Sequence, residues 1–296
     1  MEPPIPRPEQ AAVVVPAPGA GEGNWAGAPS AVLADGTFWL AYRVRRPVPH
    51  GRGVAVVLAR SSDGVAFETV GRLSQESFGA ASLERPALVR RPDGGWRIYL
   101  SCATPDSKHW WIEAVDADTL ALLPEGRSTV ALPGDARTAV KDPVVRADAS
   151  GWRMWLCCHP LDEAGQEDRM RSRYASSADG LAWAVHDEVL VPRATGWDRR
   201  GTRITAVFGE PPVAALYDGR ASAAENWHER TGIAVRTDGG LFSQAGEAPV
   251  AASPHALGTL RYVSAVPLPG GGHRLYYEVA RRDGAHDLVT HLVPPA

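Results

Sequence analysis

Apolar residues along this chain fall in short β-branched or aromatic runs, each broken by Gly, Pro, Asp or Ser. Such runs bounded by turn residues read as strands, and no long amphipathic stretch of helical period separates them. An alternating α/β arrangement is therefore disfavoured. The runs also recur in a fixed order: a β-branched strand, a Gly-containing turn, then an aromatic-rich strand. Copies are Pro29-Ser-Ala-Val-Leu-Ala-Asp-Gly-Thr-Phe-Trp-Leu-Ala-Tyr42, Pro86-Ala-Leu-Val-Arg-Arg-Pro-Asp-Gly-Gly-Trp-Arg-Ile-Tyr-Leu100 and Pro143-Val-Val-Arg-Ala-Asp-Ala-Ser-Gly-Trp-Arg-Met-Trp-Leu156. A weaker copy runs from Ile204 to Tyr217, and a fifth from Val263 to Tyr277.

The copies start near residues 29, 86, 143, 204 and 263, with steps of 57, 57, 61 and 59. Fixed periodicity of this size marks a repeat architecture. A second turn motif repeats inside the unit: Ser61-Ser-Asp-Gly-Val-Ala-Phe67 matches Ser176-Ser-Ala-Asp-Gly-Leu-Ala-Trp183. Each unit thus holds four strands joined by tight turns. Four-stranded antiparallel units repeated about an axis form a β-propeller. The expected fold is all-β, a five-bladed propeller in which residues 1–296 make one domain, with residues 1–10 flexible. The last unit is one strand short. Ala11-Ala-Val-Val-Val15 is a spare strand that can pair with it, close the ring and protect the sheet edge.

Composition narrows the setting. Basic and acidic residues nearly balance, 31 against 34, which disfavours a nucleic-acid protein. No apolar run is long enough to span a membrane, and no secretory signal opens the chain, so a cytoplasmic location is expected. Cys102, Cys157 and Cys158 lie in apolar runs and match neither a disulfide framework nor a zinc spacing. They are expected to be buried core residues. Only two lysines occur, Lys108 and Lys141, against a large excess of arginine.

In a propeller the openings of the first strands, the ends of the second strands and the loops that follow converge on one mouth. The first strands here open on Gly27-Ala28, Glu84-Arg85, Lys141-Asp142, Thr202-Arg203 and Arg261-Tyr262. Loops add Asn24-Trp25, Trp197, His159 and the polar segment Glu225-Asn226-Trp227-His228-Glu229. Trp25 and Trp197 are candidate sugar-stacking platforms. Asn24, Arg85, Lys141, Arg203, His159, His228 and Tyr262 are candidate ligand-binding residues. Glu84, Asp142 and Glu229 are candidate acid/base groups, and a carboxyl pair about 5–9.5 Å apart would suit glycoside cleavage.

Blade number, blade length and motifs such as Lys141-Asp142-Pro143 resemble the five-bladed propeller glycosidases, the arabinanase, xylosidase and invertase-type clan (family 43-like). The resemblance covers nearly the whole chain. It implies a carbohydrate or glycosylated small molecule as ligand and carboxylates opening blades one, three and four. An axial ion such as calcium is the one metal it suggests, and no other cofactor is expected. Blade three keeps Asp142, but blade one shows Ala28 before its proline and blade four shows Thr202-Arg203. Neither alanine nor arginine performs acid/base work near neutrality. Three readings stay open: a glycosidase with relocated carboxylates, a non-hydrolytic sugar-binding or biosynthetic propeller, and a phosphorylase using Glu84 with Arg85, Lys141, Arg203 and His228.

Overall fold

The computed structural model describes residues 3–148 and 150–295. In chain order the strands are β1 (Ala12–Val15), β2 (Trp25–Ala34), β3 (Thr37–Arg45), β4 (Gly53–Ser61), β5 (Glu68–Ser74), β6 (Ala87–Arg90), β7 (Trp96–Ala103), β8 (Trp110–Ala117), β9 (Arg127–Leu132) and β10 (Thr138–Asp148). They continue as β11 (Gly151–Pro160), β12 (Arg171–Ser177), β13 (Ala184–Leu190), β14 (Gly201–Phe208), β15 (Ala214–Arg220), β16 (Arg230–Arg236), β17 (Phe242–Ala245), β18 (Leu260–Pro267), β19 (His273–Ala280) and β20 (His286–Val293). Three antiparallel sheets have four strands each: β6–β9, β10–β13 and β14–β17. The remaining strands form one eight-stranded sheet, in which β18–β20 join β2–β5 through a single parallel pair, Trp25 with His286. Among the described residues no helix is long and apolar enough to cross a membrane.

First strands touch in cyclic order: β2 with β6, β6 with β10, β10 with β14, β14 with β18, and β18 with β2. The sheets are thereby arranged radially, with the first strands innermost. Serine hydroxyls pin these seams: Leu88 N–H donates to Ser30 Oγ at 2.9 Å and Ala31 N–H to Ser264 Oγ at 3.0 Å. β1 pairs antiparallel with β20, Ala12 opposite Thr290 and Val13 opposite Val289, as the spare-strand reading expects.

Apolar faces of neighbouring sheets meet in separate cores. Leu58 and Leu73 pack with Trp96, Ile98 and Leu100; Tyr99 and Ile112 pack with Trp152, Met154 and Leu156. Phe208 and Leu216 pack with Leu275, Tyr277 and Val289. Cys102, Cys157 and Cys158 are free and buried. Burial raises their thiols, Cys158 to about 12. One expectation fails. Residues 3–10 are not a loose tail: Pro3, Pro4 and Pro6 are buried, Pro8–Gln10 form a 3-10 turn, and Ile5 packs against the β14–β20 core. Proline has little conformational freedom to lose, so even this short segment docks at low entropic cost. Residues 1 and 2 lie outside the described residues.

The repeated Ser-Asp-Gly turn links sheets. Asp63 Oδ1 accepts from Val65 and Ala66 N–H, and Asp179 Oδ1 accepts from Leu181 and Ala182 N–H. Gly64 and Gly180 sit at φ +74° and +73°, a region only glycine enters freely. The turn carbonyls then face the neighbouring sheet. Tyr99 Oη donates to Gly180 C=O at 2.7 Å, and Tyr276 Oη donates to Gly64 C=O at 2.9 Å. The aromatic that ends each motif packs edge-on to the same tyrosine: Trp183 on Tyr99 and Phe67 on Tyr276. Replacing Tyr99 by Phe removes one buried hydrogen bond and leaves the Gly180 carbonyl with the Trp183 indole N–H, at 3.0 Å, as its remaining side-chain donor. The expected loss is about 1–2 kcal/mol, read as a lower denaturation midpoint with an unchanged slope. Tyr276→Phe should behave alike, and an unshifted midpoint for both would contradict this account of the seams.

Candidate functional site

The innermost strands carry a shared irregularity. Register shifts interrupt β2 between Gly27 and Ser30, β10 between Lys141 and Val144, β14 between Ile204 and Ala206, and β18 between Arg261 and Ser264. Ala28, Asp142 and Tyr262 lie in the left-handed region, at φ 49°, 52° and 59°. Bulges of this kind re-aim side chains, here towards the axis. They bring the first-strand openings together above the channel, as the sequence predicts. Glu84, Lys141, Arg203, Arg261 and Tyr262 line a cavity of about 640 Å³.

The ends of the second strands supply the rest of the wall. Arg43 and Arg45 lie at the end of β3, Arg220 ends β15 and Trp110 opens β8; loops add Arg52, Lys108, Asp168 and Trp227. Eight lining side chains are cationic and four are carboxylates. Half of these are joined, together with Glu278, in a chain of ion pairs across the axis. Asp168 meets Arg220; Arg220 meets Glu229 at 2.5 Å; Glu229 meets Arg261 at 2.7 Å; Arg261 meets Glu278 at 2.8 Å; Glu278 meets Arg43 at 2.7 Å; and Arg43 meets Glu84. A second cluster joins Arg203 to Asp142 at 2.9 Å and to Asp218 at 2.7 Å. The Arg203 guanidinium also lies 3.9 Å from the centre of the Tyr262 ring.

These pairings fix the protonation states. Burial alone would raise the Glu84 acid, but Arg43, then Lys141, Arg45 and Arg52, hold it at about 2. Glu229 and Glu278 are held far below the usual carboxylate range, burial being overcome by Arg261 and further arginines. Burial lifts Asp218 to about 6 against the pull of Arg203. Asp218 is fully buried outside the cavity wall, however, and accepts hydrogen bonds from Arg203 and from the Tyr262 N–H. His159 is pushed well down by burial and by Lys141, so it is neutral, with Nδ1 bonded to the Glu167 carbonyl at 2.8 Å.

Sequence-predicted residues thus divide. Glu84, Glu229, Lys141, Arg203, His159 and Tyr262 meet at the cavity, with Asp142 buried directly beneath Arg203. Others lie elsewhere. The Trp25 ring is wholly buried, stacked on His286 at 4.4 Å with the Arg45 and Arg261 guanidinium groups at 4.2 and 4.8 Å, so no face is left for a sugar. Trp197 stacks on Tyr217, and Asn24 Nδ2 donates to the Ala20 carbonyl. His228 is bonded to Thr259 and does not line the cavity. Arg85 points to the opposite end of the channel, donating to the Thr205 and Val263 carbonyls.

Residues missed by sequence reasoning come from the second strands: Arg43, Arg45, Asp218, Arg220 and Glu278. Their signal was a charged residue directly after a repeat aromatic, as in Tyr42-Arg43, Tyr217-Asp218 and Tyr277-Glu278. Glu278 also explains Gly27. A Cβ at Gly27 would collide with the Glu278 carboxylate, which fills the space beside the opening of β2. A carboxylate therefore stands near the first-strand position that lacks one in sequence, but Arg43, Arg261 and His286 bind it. A divalent cation does not fit here. Guanidinium groups occupy the axis, and among the described residues no cluster of three metal-ligating side chains occurs.

Because Glu84 has a folded value near 2 against an ordinary 4.5, its pairing stabilises the fold above pH 4.5 and that stability is lost as pH falls towards 2. The shift corresponds to on the order of 3 kcal/mol. Melting temperature should fall steeply across that window. Glu84→Gln should be less stable at neutral pH and show a shallower acid loss; parallel pH curves for the two proteins would refute the assignment.

No protein-family profile matches this chain, and no curated protein matches its sequence. Solved structures do. A thermostable family-43 glycoside hydrolase superposes with TM-score 0.69 at 14% identity, over 90% of this chain and 88% of its own. A structure from the GH130 family of mannoside phosphorylases, which contains glycoside hydrolases targeting β-1,2 mannosidic linkages in Candida mannan, gives 0.63 at 16% identity, over 93% and 87%. An N-acetylgalactosamine deacetylase from F. plautii in complex with blood group B trisaccharide gives 0.64 at 13% identity, over 96% and 95%. At these identities the likeness is one of fold, and the fold of this chain is that of the propeller glycoside hydrolases.

Proposed function

We propose that the chain is a five-bladed propeller that takes a carbohydrate or glycosylated small molecule in its axial cavity without hydrolysing it by the two-carboxylate route. On this reading the one-residue bridge between Trp25 and His286 separates two blades of the eight-stranded sheet, and β1 completes the last blade. Free buried cysteines suit a reducing compartment, and the proposed location is the cytoplasm.

Sugar as ligand is supported by the fold relatives, among them the deacetylase solved with a trisaccharide. The lining also offers the half-buried Trp227, an aromatic wall of the type that packs against sugar C–H faces. The absence of hydrolysis rests on one observation: Glu84 and Glu229, the acid/base candidates on the wall, are each clamped by arginine and ionised at neutral pH. Glycoside cleavage needs one carboxyl group protonated to release the leaving group, and phosphorolysis needs the same. Here the former acids act as structural counter-charges. The arrangement is a propeller glycosidase frame with its acid function disabled.

An aryl-glycoside panel assayed with and without inorganic phosphate should release no phenol above background. Saturable binding of saccharides, followed by tryptophan fluorescence, should be weakened about 10-fold or more by Trp227→Ala, on the scale of one lost aromatic contact. Turnover abolished by Glu84→Gln or Glu229→Gln would instead establish a glycosidase.

A further inference from the structure

Charge around Glu84 does not balance. Four cations hold this carboxylate ionised, Arg43 being its direct partner and Lys141, Arg45 and Arg52 standing round it. Arg43 is shared with Glu278. Among the described residues, Arg45 and Arg52 form no ion pair, and the Nε of each is buried without a hydrogen-bond partner. Lys141 Nζ lies 3.6 Å from Asp142, whose carboxylate is already bound by Arg203.

Arg45 is the decisive group. It is 1% exposed, yet it lines the cavity. Its guanidinium lies in the corner formed by the rings of Trp25, at 4.2 Å, and Trp227, at 4.5 Å, which stand at 69° to one another. Burial, together with Arg43, Arg261 and Arg52, lowers it to about 10, so it stays charged at neutral pH at a cost in stability. A desolvated guanidinium held in the corner of two near-perpendicular aromatic rings, without an ion-pair partner of its own among the described residues, is preorganised for an anion supplied from outside. Arg52 and Lys141 extend the same wall. Their charges lie 5.5 and 4.6 Å from the centre of the Trp110 ring, so a single indole positions both.

We propose that Arg45, Arg52 and Lys141 form a subsite for a phosphate monoester carried by the cavity ligand, which makes the substrate class a sugar phosphate or its glycoside. Arg45 and Arg52 have no ion-pair partner among the described residues, Lys141 shares Asp142 with Arg203, and a dianion balances the two unpaired charges. They approach from β3, the loop before β4, and β10, a spread that suits a tetrahedral oxyanion better than a planar carboxylate. The proposal rests on the sugar-binding reading above.

The test is calorimetric titration with the 1- and 6-phosphates of glucose, galactose and mannose, beside each parent hexose and inorganic phosphate. At least one hexose phosphate should bind about 10-fold or more tightly than its parent, with affinity falling as salt rises. Arg52→Ala and Lys141→Ala, both at partly exposed positions, should bring the ratio of phosphate to parent affinity towards one, as should Arg45→Met if it folds. Equal binding of hexose and hexose phosphate would overturn the subsite while leaving the sugar reading intact. Inorganic phosphate binding as tightly as every hexose phosphate would show a free-anion site and overturn the ligand-borne assignment. Binding of inorganic phosphate alone, with no sugar or sugar phosphate, would overturn both readings, as would binding of nothing.

Discussion

Ionised groups on the axis of this fold have almost no water to relax into, so each needs a counter-charge from another strand. Removing one member of a buried pair typically costs about 3–5 kcal/mol, because the survivor is left uncompensated. The alternating run from Asp168 through Arg220, Glu229, Arg261, Glu278 and Arg43 to Glu84 meets that constraint using β15, β18, β19, β3 and the segments before β6, β12 and β16. It couples sheets that share no ladder hydrogen bonds at the centre. On the proposed reading it also sets the chemistry. A carboxylate that holds two sheets together by its charge cannot also serve as a proton donor at neutral pH. Structural pairing and acid catalysis compete for the same oxygens, and here pairing has them.

How much of this was legible in the sequence depended on whether a signal was local. Strand positions and turns were, because the period of two, the Asp-Gly turns and the recurring aromatics act over a few residues. The pairing of β1 with β20 followed from one missing strand and one spare. Glu84, Asp142, Lys141, Arg203 and Tyr262 could be placed at the mouth because they open repeat units. The second-strand ends, Arg43, Arg45, Arg220 and Glu278, escaped notice because nothing in a single chain separates a charged strand end that faces the axis from one that faces solvent. Trp25 was misread for a related reason. Whether an indole face is open is decided by what a distant segment lays on it, and His286 lies 261 positions away. Residues 3–10 looked like a tail because proline-rich composition is shared by loose segments and by docked extended ones.

Backbone strain at the strand openings belongs to the same design. Ala28, Asp142 and Tyr262 occupy left-handed conformations at corresponding bulges, each costing on the order of 1 kcal/mol relative to extended backbone. The bulges turn alternate side chains out of the ladder and into the axis, and without them the ring of charges would point into the seams between sheets. At β2 the bulge survives although it presents only glycine and alanine. The opening is kept clear for Glu278 from β19, so the bulge there makes room for a side chain from another strand.

Closure of the sheet system through β1 and β20 has a consequence for how the protein comes into being on the ribosome. Glu278, His286 and the partner strand of β1 emerge after most of the chain has been made. Until they do, Arg43 lacks one of its two carboxylates, Arg261 lacks Glu278, and β1 has nothing to pair with. The earlier strands already pair Arg43 with Glu84, Arg203 with Asp142 and Asp218, and Arg220 with Glu229, so what waits for β18–β20 is the second half of the charge network. The final strands therefore act as a latch that supplies hydrogen bonds at the rim and negative charge at the centre in the same step.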